Sequence, residues 1–177
     1  DGNTTLCMAS AASGYKMSFG SDGPPGAYAD FEHADVILLI GGNVADNHPL
    51  LAPRLLANRK ATLVVVDPRV TKTAMLADIH LPLRPRTDIV LLNGIMKLLI
   101  DEGLIDEQFI AAHTDGWAEL VEHLEPYTVE MVIEQCGIDE QAFRRTALAF
   151  GRAERGLIAW TMGVNHSTKG TETVNAI

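Results

Sequence analysis

Four stretches of the chain put reactive or ligand-binding residue types where a turn would present them. The first is "NTTLCMASAASGYKMSFG", residues 3–20, in which an isolated thiol, Cys7, is followed by small residues. Met8, Ala9, Ser10, Ala11 and Ala12 read as helix, Thr4 or Thr5 would cap it, and Gly14 and Gly20 offer stops. Cys7 then falls in the first turn, where the helix dipole favours a thiolate, which is a nucleophile or a soft-metal ligand. The competing reading is a small apolar cysteine buried in the core.

The second stretch is "IGGNVADNHP". A strand ends at Ile40, and Gly41 and Gly42 let the chain turn where a side chain would obstruct a ligand. Ligands of open α/β sheets bind beyond the carboxyl ends of the strands. No third glycine completes a dinucleotide fingerprint, so the turn reads equally as structural, with Asn43 and Asp46 capping the next helix. In the third, "VVVDPR", Asp67 stands where an acid can bind a ribose hydroxyl, and Arg69 can meet phosphate or carbonyl oxygens. A capping aspartate beside a surface arginine is the plainer alternative. The fourth is "TMGVNHSTKG", where Met162, Gly163, Asn165 and His166 would lie over the same sheet edge. A lone loop histidine is more often structural or solvated than a ligand. The histidines show no zinc-type spacing with the cysteines or acids, and there is no nucleophile elbow and no phosphate-binding loop. A glycine turn and an acid on successive strand ends together point to a nucleotide.

These residues need elements to bring them to one edge. Three apolar runs read as buried parallel strands, at Val36–Ile40, 63–66 and 157–161, each short, continuous and followed by turn residues. "DIHLPLRP" adds a proline-interrupted strand around 80–83, suited to a sheet edge. "HPLLAPRLLANRK" reads as a helix with Pro49 in its first turn and Pro53 tolerated or bending it. "TDIVLLNGIMKLLIDEG" is the clearest helix: Thr87 caps it, Asp88 opens it, Ile89, Leu92, Met96 and Leu99 form a face, and Gly103 ends it. "IDEQFIAAH", "GWAELVEHLE", "TVEMVIEQCG" and "IDEQAFRRTALAFGR" read as short amphipathic helices, and "GSDGPPGAYADFEHA" as a surface loop. The order predicts an α/β fold over residues 1–177. Its sheet is open, mainly parallel and Rossmann-like, flanked by helices on both faces. Right-handed crossovers then gather Gly41, Asp67 and Met162 along one edge.

Composition narrows the partners. Lys and Arg number 14 against 23 Asp and Glu, a net charge of −9, which offers no basic surface to nucleic acid. No apolar run reaches the roughly 20 residues of a membrane span. Cys7 and Cys136 are too few for a disulfide scaffold. The chain opens "DGNTT" without an initiator methionine or signal peptide and closes inside a helix-like "KGTETVNAI". It therefore reads as a piece of a longer protein.

The motifs taken together resemble the molybdopterin oxidoreductases of the bis-guanine-dinucleotide class, and within them the prokaryotic nitrate reductases. The similarity runs through "NTTLCMASAASGYKMSFGSD", "YADFEHADVILLIGGNVADNHPLL", "VVDPRVTKTAMLADIHLPLRPRTDIVLLNGI" and "WTMGVNHSTKG". The "DPR.T.TA..ADIHLP..P.TD" run resembles the assimilatory, cytoplasmic branch. The resemblance implies that Cys7 coordinates molybdenum beside the dithiolene sulfurs of two pterins, and that Met8 walls the substrate pocket. It further implies cofactor contacts at Asn3, Gly41, Gly42, Asn43, Asp67, Pro68, Arg69, Val70, Thr71, Thr87, Asp88, Met162 and His166. The small residues after Cys7 would let the helix approach the pterins. Arg86 stands where many relatives carry glycine, His166 where glutamine is usual and Lys169 where arginine is common.

The implied cofactors are molybdenum and molybdopterin guanine dinucleotide, two per full-length enzyme, with a 4Fe-4S cluster in a part preceding this chain. The implied partners are nitrate and an electron donor, which would be a ferredoxin, a flavoprotein or an NAD(P)H-linked reductase subunit. The implied activity is oxygen-atom transfer from nitrate, giving nitrite, with the isolated piece inactive because it holds about half a cofactor site. Two alternatives stand beside this. One is a formate dehydrogenase, although those usually follow the metal ligand with histidine rather than "MASA". The other is a nucleotide-binding module without catalysis.

Overall fold

The computed structural model describes residues 3–177. The side chains of Asn3 and Thr4 lie outside the described residues, and with them the cofactor contact expected of Asn3 and the cap expected of Thr4. The chain runs α1 (Asn3–Cys7), α2 (Ala9–Phe19), α3 (Asp30–His33), β1 (Val36–Ile40), α4 (Val44–Asn47), α5 (Ala52–Ala57), β2 (Thr62–Val66) and β3 (Ile79–Leu81). It continues through α6 (Asp88–Asp101), α7 (Glu107–His113), α8 (Trp117–Leu124), α9 (Val129–Cys136), α10 (Glu140–Gly151), β4 (Gly156–Trp160), α11 (Met162–Asn165) and α12 (Gly170–Asn175).

The four strands form one all-parallel sheet in the order β3-β2-β1-β4, with Val36 opposite both Thr62 and Gly156. β1 is buried along its whole length, as its five consecutive aliphatic residues require. Its side chains alternate between two cores. Val36, Leu38 and Ile40 join Leu91, Ile95, Val132 and Phe143 of the α6, α9 and α10 layer. Ile37 and Leu39 meet Phe31, Val44, Leu55 and Ala74 on the other face. Close approach of α6 to α9 needs Gly94, where a Cβ would fall 2.4 Å from Val132 Cγ2. The predicted strands, the edge position of β3 and the parallel sheet with helices on both faces are all present.

Several local expectations are corrected. Thr5 lies inside α1 rather than ahead of it, and the chain breaks at Met8 (φ −134°), so Cys7 closes α1 and precedes α2. Cys7 is exposed, whereas Cys136 is the cysteine of the core. α2 uses its small residues against α12: a Cβ on Gly14 would lie 2.4 Å from Val174 Cγ1, and Ser10 Oγ donates to Asn165 O at 2.9 Å. Pro49 falls between α4 and α5, and Pro53 opens α5. The buried face of α6 is Leu91, Leu92, Ile95 and Leu98, one position off the predicted stripe, because Asn93 and Gly94 also turn inward. β4 stops at Trp160 and is only half-buried. Among the described residues no helix is long and apolar enough to cross a membrane.

Candidate functional site

In a parallel sheet all carboxyl ends fall on one side, so the segments that follow β1, β2, β3 and β4 converge there. The turn after β1 is stitched to the turn after β4. Gly41 adopts φ 58°, and a Cβ on it would lie 2.7 Å from Gly163 Cα, so neither position admits a larger residue without moving backbone. The Gly163 amide donates to Gly41 O at 3.2 Å, and the Thr161 hydroxyl donates to the same carbonyl. Met162, held in this turn, accepts the Cys7 S–H on its Sδ at 3.5 Å. The end of α1 is thereby brought to the strand-end edge with an exposed sulfur.

On its other flank the β1 turn is clipped to the segment after β2. The buried Thr73 hydroxyl donates to Asn43 Oδ1 at 2.9 Å and accepts from the Ala45 amide at 3.0 Å. Asn43 Nδ2 donates to Asp46 Oδ2 at 2.7 Å, and Lys72 Nζ meets Asp46 Oδ1 at 2.6 Å, an exposed pair that holds the Asp46 carboxyl below its usual range. Asn43 thus holds the N-cap position of α4 without a side-chain bond to its amides, and Asp46 lies inside the helix.

Asp67, buried at the end of β2, accepts the Arg69 amide on Oδ1 at 2.8 Å, and His80 Nε2 donates to its carbonyl at 2.8 Å. Thr71 is buried, its hydroxyl accepting from the Ala74 amide at 3.1 Å, while Pro68, Arg69 and Val70 are exposed. Asp88 opens α6 near Asp67. Burial lifts its carboxyl above the ordinary aspartate range, and the Asp67 charge adds to the lift. Thr87 occupies the cap position, but its hydroxyl donates backwards to Arg84 O at 2.7 Å. The Cys136 thiol, its pKa raised by burial, lies against Thr87 O at 3.6 Å. Just ahead, Arg86 takes φ 76°. Arg69 and Arg86 have no ion-pair partner among the described residues.

Of the residues expected at the site, Cys7, Gly41, Gly42, Asn43, Asp67, Thr71, Thr87, Asp88 and Met162 lie on the carboxyl-end side of the sheet. Met8 is half-buried beside Cys7, and the exposed His166 follows α11, its amide donating to Met162 O at 3.0 Å. Asn165 turns away into the fold, its Oδ1 accepting from Trp160 Nε1 at 3.2 Å. Sequence reasoning missed Thr73, Thr161 and His80, whose partners are remote in sequence. Only the alternation Thr71, Thr73 in "VTKTA" hinted at a second inward hydroxyl. The residue types fit a nucleotide-linked group bound through a soft metal: an exposed sulfur, a glycine turn, two acids able to accept from hydroxyl or amino groups, and two arginines without ion-pair partners among the described residues.

The family profile for molybdopterin oxidoreductases matches residues 1–177. The chain is 45% identical over 175 residues to "Nitrate reductase" from Synechocystis sp. (strain ATCC 27184 / PCC 6803 / Kazusa), covering 97% of this chain and 24% of that one. It is 37% identical to "F420-dependent formate dehydrogenase subunit alpha" from Methanocaldococcus jannaschii, covering 97% and 26%. Among solved structures, acetylene hydratase from Pelobacter acetylenicus superposes with a TM-score of 0.89 at 30% identity, over 98% of this chain and 24% of its own. The chain thus spans about a quarter of the length of the relatives it matches.

Proposed function

The chain belongs to the molybdopterin oxidoreductase family, and on that premise we propose that it forms a central part of a nitrate reductase catalytic subunit, holding part of a bis-molybdopterin guanine dinucleotide centre. The observation that carries this reading is the exposed Cys7 sulfur, delivered beside Met162 to the carboxyl-end edge of the sheet. When bound, the molybdenum centre would supply two-electron, oxygen-atom-transfer chemistry. The chain's own residues position it. Cys7 would be the protein ligand, offering a soft sulfur to the metal. The Gly41–Gly42–Asn43 turn brings backbone close to the dinucleotide without side-chain bulk, and Arg69 neutralises phosphate charge. Asp67 and Asp88 accept hydrogen bonds from the nucleoside, and Met8 walls the substrate pocket. Met8 next to Cys7, in place of histidine, favours nitrate over formate as substrate. The similarity of the "DPR" run to the assimilatory branch supports a cytoplasmic enzyme fed by a ferredoxin, a flavoprotein or an NAD(P)H-linked subunit through a 4Fe-4S cluster outside this chain.

The test is Cys7→Ser in the complete catalytic subunit. Nitrate reduction is expected to fall by at least about 100-fold, with the melting temperature nearly unchanged, because an exposed thiol carries no core packing. A variant that melts early yet keeps normal turnover per folded molecule would make Cys7 structural. A wild-type subunit that oxidises formate and leaves nitrate untouched would replace the substrate assignment.

A further inference from the structure

Arg84 lies exposed between β3 and α6, yet it is bonded to main chain rather than to an acid. Its partner is the end of α9. A helix leaves its last four carbonyls without partners in its own backbone, and those of α9 belong to Ile133, Glu134, Gln135 and Cys136. The Gly137 amide donates to Ile133 O at 2.8 Å. Arg84 takes the other three. Its Nη1 donates to Glu134 O at 2.6 Å and to Gln135 O at 3.3 Å, and its amide donates to Cys136 O at 2.8 Å. The guanidinium is also a cation at a helix carboxyl terminus, where the helix dipole favours it. Gly137, at φ 68°, leaves the space that the side chain fills, because a Cβ there would fall 2.9 Å from Arg84 Nε.

The same residue begins the turn that leads into α6. The Thr87 amide and hydroxyl both donate to Arg84 O, at 3.3 and 2.7 Å, which closes residues 84–87 into a turn. Its third residue, Arg86, takes φ 76°, a value that a turn with proline second ordinarily gives to glycine. Such backbone persists only where its surroundings fix it. Here one residue of α9 meets both ends of the turn: Cys136 O accepts from the Arg84 amide, and Cys136 Sγ donates to Thr87 O at 3.6 Å. Asp88 follows at once as the first residue of α6. We propose that Arg84 is a positioning residue, which ties the Thr87–Asp88 corner to the end of α9 and so sets where these two residues meet the nucleotide of the cofactor. The proposal rests on the reading of Thr87 and Asp88 as nucleotide contacts. Without the guanidinium, Glu134 O and Gln135 O turn to water, and the 84–87 turn can relax Arg86 out of left-handed backbone and carry Asp88 with it.

The test follows guanine nucleotide and molybdenum retained per folded molecule of the complete, loaded catalytic subunit through repeated gel filtration, a readout separate from activity. Arg84→Met keeps an unbranched stem without a donor. Val132→Ala loosens the packing of α9 against Gly94 and leaves the Arg84 bonds alone. Arg84→Met is expected to lose both components at least about 10-fold faster than wild type. Val132→Ala is expected to lose them at the wild-type rate, although its melting temperature falls at least as far. Arg84→Lys is expected to stay within about three-fold of wild type, because Nη1 alone makes both side-chain bonds and an ammonium can donate to the same carbonyls. Equal loss from Arg84→Met and wild type, or from Arg84→Met and Val132→Ala, would leave Arg84 a helix terminator and overturn the proposal. A lysine variant that loses cofactor as fast as the methionine variant would overturn it equally. A wild-type subunit that carries no guanine nucleotide would overturn the nucleotide reading of Thr87 and Asp88, and the proposal with it.

Discussion

Arg86 stands in left-handed backbone (φ 76°) at the step from β3 into α6, a conformation that costs a non-glycine residue about 1–2 kcal/mol. Arg86→Gly removes that cost and gives back part of it as unfolded-chain entropy. The expected net gain is about 0.5–1 kcal/mol in urea unfolding. Two positions on, Asp88 carries a carboxyl raised by burial and by the charge of Asp67. A folded state that holds this proton more tightly than the unfolded one loses stability as pH rises through the raised value. Below the ordinary aspartate range of about 4 the two states bind the proton alike and the penalty is absent. Asp88→Asn is therefore expected to flatten the fall in melting temperature on going from acid towards neutral pH. Equal slopes for the two proteins would show that Asp88 ionises freely.

Three turns share the work of building the strand-end edge, and two sets of contacts join them. Gly41 and Gly163 touch backbone to backbone, so Gly41→Ala must push the β1 turn away from Met162. A cost of about 2–4 kcal/mol is expected from combined overpacking and left-handed strain, read by denaturant unfolding. On the other side, Thr73→Val keeps the shape but leaves Asn43 and the Ala45 amide without their shared partner. About 1–3 kcal/mol is expected to be lost, with faster amide exchange at Ala45 as the local signature. Both turns were recognisable as ligand-type turns in "IGGN" and "TMGVN", but the contacts between them were not. Glycine reports that a side chain is unwelcome, without naming the atom that excludes it.

The whole fold separates the two cysteines. Cys7 is exposed at the carboxyl-end edge, and Cys136 is enclosed by the layer of α6, α9 and α10. A thiol reagent is expected to modify one cysteine rapidly and the second only after denaturation; rapid modification of both would contradict the packing of α9. On the proposed function, the isolated 177-residue chain would offer the metal Cys7 as its protein ligand and would supply only part of a large cofactor's surroundings. Purified alone, it is expected to carry no stoichiometric molybdenum and no nitrate reductase activity. Finding a full complement of molybdenum in it would show that the described residues suffice to hold the centre.

Periodicity and residue type determined the strands, because five consecutive aliphatics in β1 can be buried only between two layers, and short continuous apolar runs separated by helical patterns are the mark of a parallel sheet. They also singled out "IGGN", "VVVDPR" and "TMGVN" as candidate ligand loops, since ligands of open α/β sheets bind beyond the carboxyl ends of the strands. The helix break at Met8 was not legible: nothing in "LCMAS" opposes helix, and past the break α2 seats Gly14 against Val174 of α12. The inward face of α6 shifted for a similar reason, with Gly94 set by the approach of Val132 rather than by the stripe of large residues. Tertiary structure alone placed the sulfur of Cys7 beside that of Met162, 155 positions away in the chain, because a side chain's neighbours across a sheet edge are chosen by register and packing. Only the assembled sheet showed that β4 is half-buried while β1 is buried throughout, since apolar composition alone does not tell a central strand from an outer one.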